Sequence, residues 1–374
     1  MITPTDEQRQ LRTTVRDFLA ATCSHGQLTA QLGQPEGFDR ATWRRAASEL
    51  GLPGVAVPES YGGSGLSPAD LVWVLAECGR ALYPGPFLPS AVLACTALLA
   101  GGDADACGEL LPALAAGERV GAVAVAERQL GWSADRIRTT ATGTGRVRRV
   151  HGTKIAVIGA QVADDLLVAA RTGEGLSLLH VARTAPGVVV VPRPGIDTTR
   201  RVADVVFDDA PARVVGVEGA GWETVQRVRD VALAALAAEA VGGMARLTDL
   251  AAEHARTREQ FGVPIGTFQA VKHRVADMVV AADLGERSAE TLAWALAADD
   301  GQVPVVAAAV FAHNADAYVT VAESALQVLG GIGFTAEHPA HLYLKRARAA
   351  RALLGMPAEH RERIAPAILG ELTA

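Results

Sequence analysis

Arg258-Glu259-Gln260-Phe261-Gly262-Val263-Pro264-Ile265-Gly266-Thr267-Phe268-Gln269 interrupts a long helical zone of this 374-residue chain. Upstream, Trp222 to about Arg256 is very rich in alanine, and downstream helical patterns cover about 268–298 and 304–328. Small side chains let helices approach closely, so the zone from about residue 222 predicts a tight bundle. Taken alone, Arg258 would be an exposed helix-end cation.

Working outward, two further zones differ in period. To about residue 117 the chain reads as helices. Thr5 and Gln8 have capping-box spacing, after which Leu11, Val15, Phe18 and Leu19 recur on one face. Asp39 can cap a second helix that stops at Gly51, and Ser67-Pro68 with Asp70 opens a third that runs to about Leu82. Another is expected from about Pro89 to Ala100. Between about 118 and 217, short β-branched runs alternate with turn residues: Val120–Val125, Leu166–Ala170, Leu176–Val181, Val188–Val191 and Val202–Phe207. That spacing implies an antiparallel barrel or sandwich. The fold class is therefore α+β, mainly α, in three domains: 1–117 helical, 118–217 β, and 218–374 a helical bundle.

Composition narrows the partners. A net charge of -6 with no concentration of Lys and Arg argues against nucleic acid and anionic membranes. Cys23, Cys78, Cys95 and Cys107 lack metal or disulfide spacing and read as reduced, packed thiols. No metal site is expected, and His273 and His338 read as helix-face and turn residues. The start, Met1-Ile2-Thr3-Pro4-Thr5-Asp6-Glu7, does not read as a signal peptide. Apolar windows such as Val303–Phe311 are shorter than the roughly 20 residues of a membrane span. A cytoplasmic location is expected.

Three blocks carry a resemblance. Arg258–Gln269, continuing into Val271 and Ala276-Asp277-Met278, is similar to the R-x-Q-F-G…Q signature of acyl-CoA dehydrogenases. Gln327-Val328-Leu329-Gly330-Gly331-Ile332-Gly333-Phe334-Thr335 looks like their Q-x-x-G-G-x-G-F-T motif. Val57-Pro58-Glu59-Ser60-Tyr61-Gly62-Gly63-Ser64-Gly65-Leu66 resembles their V-P-E-x-Y-G-G-x-G turn. The order is right and nearly the whole chain is covered. The resemblance implies a helical N-domain, a middle β-domain, a C-terminal four-helix bundle, and FAD as cofactor. It also implies that Arg258, Phe261, Gln269, Gln327, Gly330 and Gly331 bind the ADP half of an FAD seated mostly in a neighbouring subunit. A guanidinium fork suits phosphate, and glycine lets backbone N–H groups approach it.

The catalytic positions depart from the family. Its base, a carboxylate beside the thioester, commonly follows a Y-x-R-D-A stretch in a Y-E-G-T-S loop. Here the stretch is Tyr343-Leu344-Lys345-Arg346-Ala347 and the loop Leu353-Leu354-Gly355-Met356-Pro357. Arg361, Ile364, Ala365 and Gly370 keep the register, so Leu354 stands at the base position. Some members carry the base on the first bundle helix, where this chain has Ala232. Asp230 is the nearest alternative and reads as a carboxylate near the helix start, favoured by the dipole; Glu239 reads as pairing with a neighbouring helix. The family's T-E-P-G-A-G-S-D loop appears as Ala126-Glu127-Arg128-Gln129-Leu130-Gly131-Trp132-Ser133-Ala134-Asp135. Its N-G-x-K-x-W-I-T strand is His151-Gly152-Thr153-Lys154-Ile155-Ala156-Val157-Ile158. The ring-covering tryptophan has thus become Ala156 and the flavin-facing hydroxyl Ile158, while Trp132 reads as surface packing.

Positions that serve a partner's FAD are present, and those that would hold a flavin here are altered. The resemblance then implies the base-lacking subunit of a heteromeric α2β2 acyl-CoA dehydrogenase, of the kind found in actinobacteria for sterol side chains. Its expected partners are an acyl-CoA substrate, a homologous subunit (in a heterotetramer, otherwise a homotetramer or homodimer) and electron-transfer flavoprotein. The alternatives are a self-sufficient enzyme using Asp230, a non-catalytic acyl-CoA-binding or scaffolding protein, and a flavin oxidase or monooxygenase on the same scaffold.

Overall fold

The computed structural model describes residues 4–372; the first three residues of the N-terminal stretch read above lie outside the described residues. The N-terminal zone holds α1 (Asp6–Thr22), α2 (His25–Leu32), α3 (Arg40–Leu50), α4 (Pro68–Ala81), α5 (Cys95–Gly101) and α6 (Ala104–Ala115). The expected caps form: Thr5 with Gln8, Ser67 with Asp70, and Asp39 onto the Ala41 and Thr42 N–H groups. Gly51 ends α3 in the left-handed conformation that glycine adopts at least cost. The helix expected from Pro89 is a wide π-type turn, Phe87–Ala94, running into α5, and α2 and α6 are additional helices.

The middle zone has β1 (Gly121–Ala124), β2 (Thr140–Thr142), β3 (Val147–Ile158), β4 (Asp165–Thr172), β5 (Gly175–Ala182), β6 (Val188–Arg193) and β7 (Val202–Val215). Five strands close a ring in the order β4-β2-β3-β7-β5, with β5 paired back onto β4. β1 shares β4's edge with β2, and β6 shares β7's edge with β5. The barrel is mixed rather than wholly antiparallel: β1 and β2 run parallel to β4, because β3 carries the chain back antiparallel to β2 before β4 begins. Its interior is filled by Val150, Val157, Leu166, Val168, Leu179, Val205 and Phe207.

The bundle is α7 (Gly221–Thr257), α8 (Gln269–Ala297), α9 (Val303–Leu329), α10 (Ala340–Leu353) and α11 (Pro357–Leu372), with the small ribbon β8 (Glu259–Gln260) and β9 (Val263–Pro264) joining α7 to α8. Glycines let α7 cross α4 closely. A Cβ on Gly79 would stand 2.0 Å from the Glu239 carbonyl oxygen, and one on Gly242 would stand 1.7 Å from that of Ala76. Contrary to the short apolar windows expected, Gly221–Thr257 and Val303–Phe334 are long and apolar enough to cross a bilayer by length and composition. Their most apolar windows are 89% and 56% buried inside the protein, so much of that apolar surface already has a partner. The four cysteines are free and buried, as expected.

Candidate functional site

β3 carries a bulge between Lys154 and Val157, and the bulge holds Ala156 in the left-handed region at φ 50°. Its N–H donates to Asp204 Oδ1 at 3.0 Å. The turn of strand aims the end of β3 at the loop after α10. There Leu353 and Leu354 close a cleft with Ala156, Ile158, Leu130 and Trp132. All of its lining side chains are apolar, apart from the indole N–H of Trp132. The free space among these side chains is about 10 Å³, enough for a single water. Trp132, expected to be surface packing, is half-buried against the main core and belongs to this cleft. The structure thus brings together Leu354, Ala156, Ile158 and Trp132, which are far apart in sequence. Leu93, Leu130 and Leu353 also line the wall.

The floor is rigid. Lys154, fully buried, holds Glu127 Oε1 at 2.7 Å, and Glu127 also accepts the N–H groups of Arg138 and Thr139. Burial pulls the Lys154 ammonium down to about 8. Leu354 is 3% exposed, and His360 Nε2 reaches its carbonyl oxygen at 3.2 Å. Burial keeps that imidazole neutral by lowering it to about 4. A neutral ring donating to a carbonyl fixes the loop without adding charge.

α7 places the remaining candidates. Ala232 is buried in mid-helix. Asp230 is not at the helix start, as its sequence position suggested: α7 begins at Gly221 and Asp230 lies well inside it, buried. Its carboxylate is 3.6 Å from Arg229, and Oδ1 has no hydrogen-bond partner. Burial raises its pKa, opposed by the Arg229 charge. Residues two apart on a helix point to nearly opposite sides, so Asp230 does not share a face with Ala232. Glu239 pairs with Arg200, in the loop before β7, and lies 3.7 Å from Arg346 on α10. Arg346 is the reversed charge in the Tyr343–Ala347 stretch, and it also meets Asp197 at 2.9 Å. Among the described residues no group of His, Cys, Asp and Glu could hold a metal ion.

The other constellation sits at one end of the bundle. α7, α8 and α9 pack against one another through short connections, so their directions alternate. That puts the end of α7, the start of α8 and the end of α9 together. Arg258 caps α7, and its side chain is exposed with no partner among the described residues. Phe261 is 93% exposed at φ 55°, held edge-on to Phe268 with centroids 6.1 Å apart. Gln269 and Gln327 are exposed on their helices, and Gly330 turns the chain at φ 64°. Gly330 and Gly331 have open space where a side chain would begin. An exposed aromatic, an unpaired guanidinium and bare backbone can all meet an anionic, partly aromatic ligand.

Residues 5–118 match the acyl-CoA dehydrogenase N-terminal domain family, and residues 219–369 match the acyl-CoA dehydrogenase C-terminal domain family. The acyl-CoA dehydrogenase FadE34 of Mycobacterium tuberculosis is 40% identical over 361 residues, which is 94% of this chain but 47% of that protein. The acyl-CoA dehydrogenase IpdE2 of the same organism is 32% identical over 360 residues, covering 96% of each. Among solved structures, the Tcur3481–Tcur3483 steroid ACAD superposes with a TM-score of 0.87 at 29% identity, covering 99% of both chains. The chain belongs to the acyl-CoA dehydrogenase family of FAD-dependent oxidoreductases.

Proposed function

We propose that this chain is the companion subunit of a two-component acyl-CoA dehydrogenase, lacking its own base and completing its partner's FAD site. The observation that carries the reading is the apolar cleft around Leu354. Leu354 stands where a carboxylate would take the substrate's α-proton, and no lining group accepts a proton. The exposed group around Arg258 supports the complementary role, offering phosphate and adenine contacts to an FAD seated in a homologous subunit. When bound there, FAD supplies the hydride acceptor. The partner supplies the carboxylate.

The steroid ACAD named for two components supports a heteromer and a sterol-derived acyl-CoA thioester as substrate. In this reading the assembly is an α2β2 heterotetramer in the cytoplasm, passes electrons to electron-transfer flavoprotein, and engages neither nucleic acid nor membrane.

The test is purification of the chain alone and with an adjacently encoded homologue, reading FAD per chain. The chain alone is expected to be flavin-free and the complex flavin-bearing. Arg258→Ala should lower FAD retention in the complex about tenfold or more, as loss of a charge-assisted phosphate contact does. One FAD per chain in the isolated protein, with dye reduction by an acyl-CoA, would overturn the reading. Asp230→Asn should leave turnover of the complex unchanged; its loss with flavin intact would instead favour a self-sufficient enzyme.

A further inference from the structure

A cavity of about 460 Å³ lies between α1, α2, the end of α4, α7 and the start of α10. It shares no lining residue with the cleft around Leu354, and its volume falls among those of small-molecule sites, about 300–1,000 Å³. Leu19, Leu28 and Leu82 form its floor, with Ala20, Ala81 and Pro339 around them. Charged side chains enter from α1, α4 and α7: Arg16, Glu77, Arg80 and Arg246. Glu77, 1% exposed, is held by Arg12 and Arg16 at 2.7 Å each, and Arg12 also meets Glu286 at 2.6 Å. Arg80 pairs with Asp249 at 2.5 Å. Those three guanidiniums and three carboxylates answer one another, and Arg246 is left over. No carboxylate among the described residues pairs with it, and its guanidinium meets the Tyr343 phenol instead.

A half-buried guanidinium beside apolar side chains is poorly solvated, and an anion entering the cavity restores its balance. Two histidines on the α10 side feel the same positive excess. Burial first, and then the positive neighbours His25, His254 and Arg246, hold His338 below the usual imidazole range. Burial, and then Lys345, His25 and His338, do the same to His341. The size of the excess chooses the ligand. One uncompensated charge suits a monoanion, whereas a phosphate dianion would bring a second negative charge toward buried Glu77. A carboxylate matches the guanidinium fork with two parallel hydrogen bonds. Its body is chosen by the floor. Water finds partners at the arginines and none on the leucine and alanine side chains, so a hydrocarbon that covers them gains apolar burial.

We propose that this cavity binds a small monocarboxylate with an apolar body, its carboxylate on Arg246 and its hydrocarbon over Leu19, Leu28 and Leu82. The site does not depend on the companion-subunit reading. Ligand-observed NMR titrations on the full chain with hexanoate, hexan-1-ol and acetate test it. Hexanoate should bind about tenfold tighter than the alcohol, the worth of one charge-assisted pair, and at least as much tighter than acetate. Arg246→Gln should bring hexanoate down to the level of hexan-1-ol. Ala20→Phe, at an exposed position of α1, should fill the mouth and weaken both ligands without disturbing the core. Thermal melts check that both variants are folded, and Ala20→Phe keeps the test decisive if Arg246→Gln is not. Equal binding of hexanoate and hexan-1-ol would overturn the proposal, as would a hexanoate affinity unchanged by either variant. No hexanoate binding, meaning a groove that holds solvent only, would overturn it as well. None of these outcomes touches the FAD stoichiometry on which the companion-subunit reading stands or falls.

Discussion

At the level of single residues, the proposed companion role turns on Leu354. A leucine 3% exposed in this cleft contributes packing, and the Trp132 indole N–H is the one lining side-chain donor a carboxylate placed there could meet. Leu354→Glu should therefore not restore catalysis in the isolated chain. It should cost about 3 kcal/mol of stability at neutral pH, through lost burial and a desolvated charge. The sign of its pH dependence follows from burial. The new carboxyl would have a folded-state pKa raised above its unfolded value, so the stability deficit is smallest below the unfolded value near 4 and grows as pH rises through the folded one. Urea unfolding at pH 5 and pH 8 checks this, and a deficit larger at pH 5 would contradict it. Asp230 shows the limit of reading one residue at a time. Its spacing from Ala232 suggested a substitute base, but helical geometry turns it to another side.

At the level of elements, the decisive packing is α4 against α7. Val241-Gly242-Gly243-Met244 puts two glycines in the middle of a helix, each costing about 1 kcal/mol relative to alanine. The structure supplies the reasons. Gly242 faces the Ala76 carbonyl oxygen, and a Cβ on Gly243 would stand 2.3 Å from Tyr318 Oη of α9. Gly242→Ala meets backbone and cannot relax by turning a side chain. It should destabilise by about 3 kcal/mol or more, or fail to give soluble protein. Gly108→Ala is the control, since it lies exposed on α6 with nothing within 4 Å of the new methyl. That change should stabilise by about 0.5–1 kcal/mol. Thermal melts of the two variants separate backbone contact from helix propensity.

For the whole molecule, α8 carries Val279, Val280, Leu284 and Trp294 each more than half exposed. Phe261 and Phe334 add exposed rings near the end of the bundle. Exposed apolar side chains at Val279, Val280 and Leu284 suit a protein interface, and the proposed homologous subunit is the occupant that also needs Arg258 beside it. Val280→Asp should lower the assembled fraction at micromolar concentration by about tenfold or more in sedimentation velocity. The isolated chain should keep its stability to within about 0.5 kcal/mol, because the side chain is 57% exposed. An assembly unchanged by that substitution would place the interface elsewhere.

Much of this protein was determined locally. The caps at Thr5, Asp39 and Ser67, the alanine-rich α7, and the strand runs between turn residues follow from hydrogen bonding and periodicity within a few residues. The three motif blocks named the family from sequence alone. α2 carries little periodic signal in its eight residues, whereas α6 has a legible start in Asp103, whose side chain accepts from the Ala106 N–H. The parallel pairing of β1 with β4 was equally hidden, since strand direction depends on where a distant segment crosses over. The closed cleft is likewise a product of tertiary structure. Leu354, Ala156, Ile158 and Trp132 each looked like an isolated departure, and only the meeting of the α10–α11 loop with the bulged end of β3 makes them one surface.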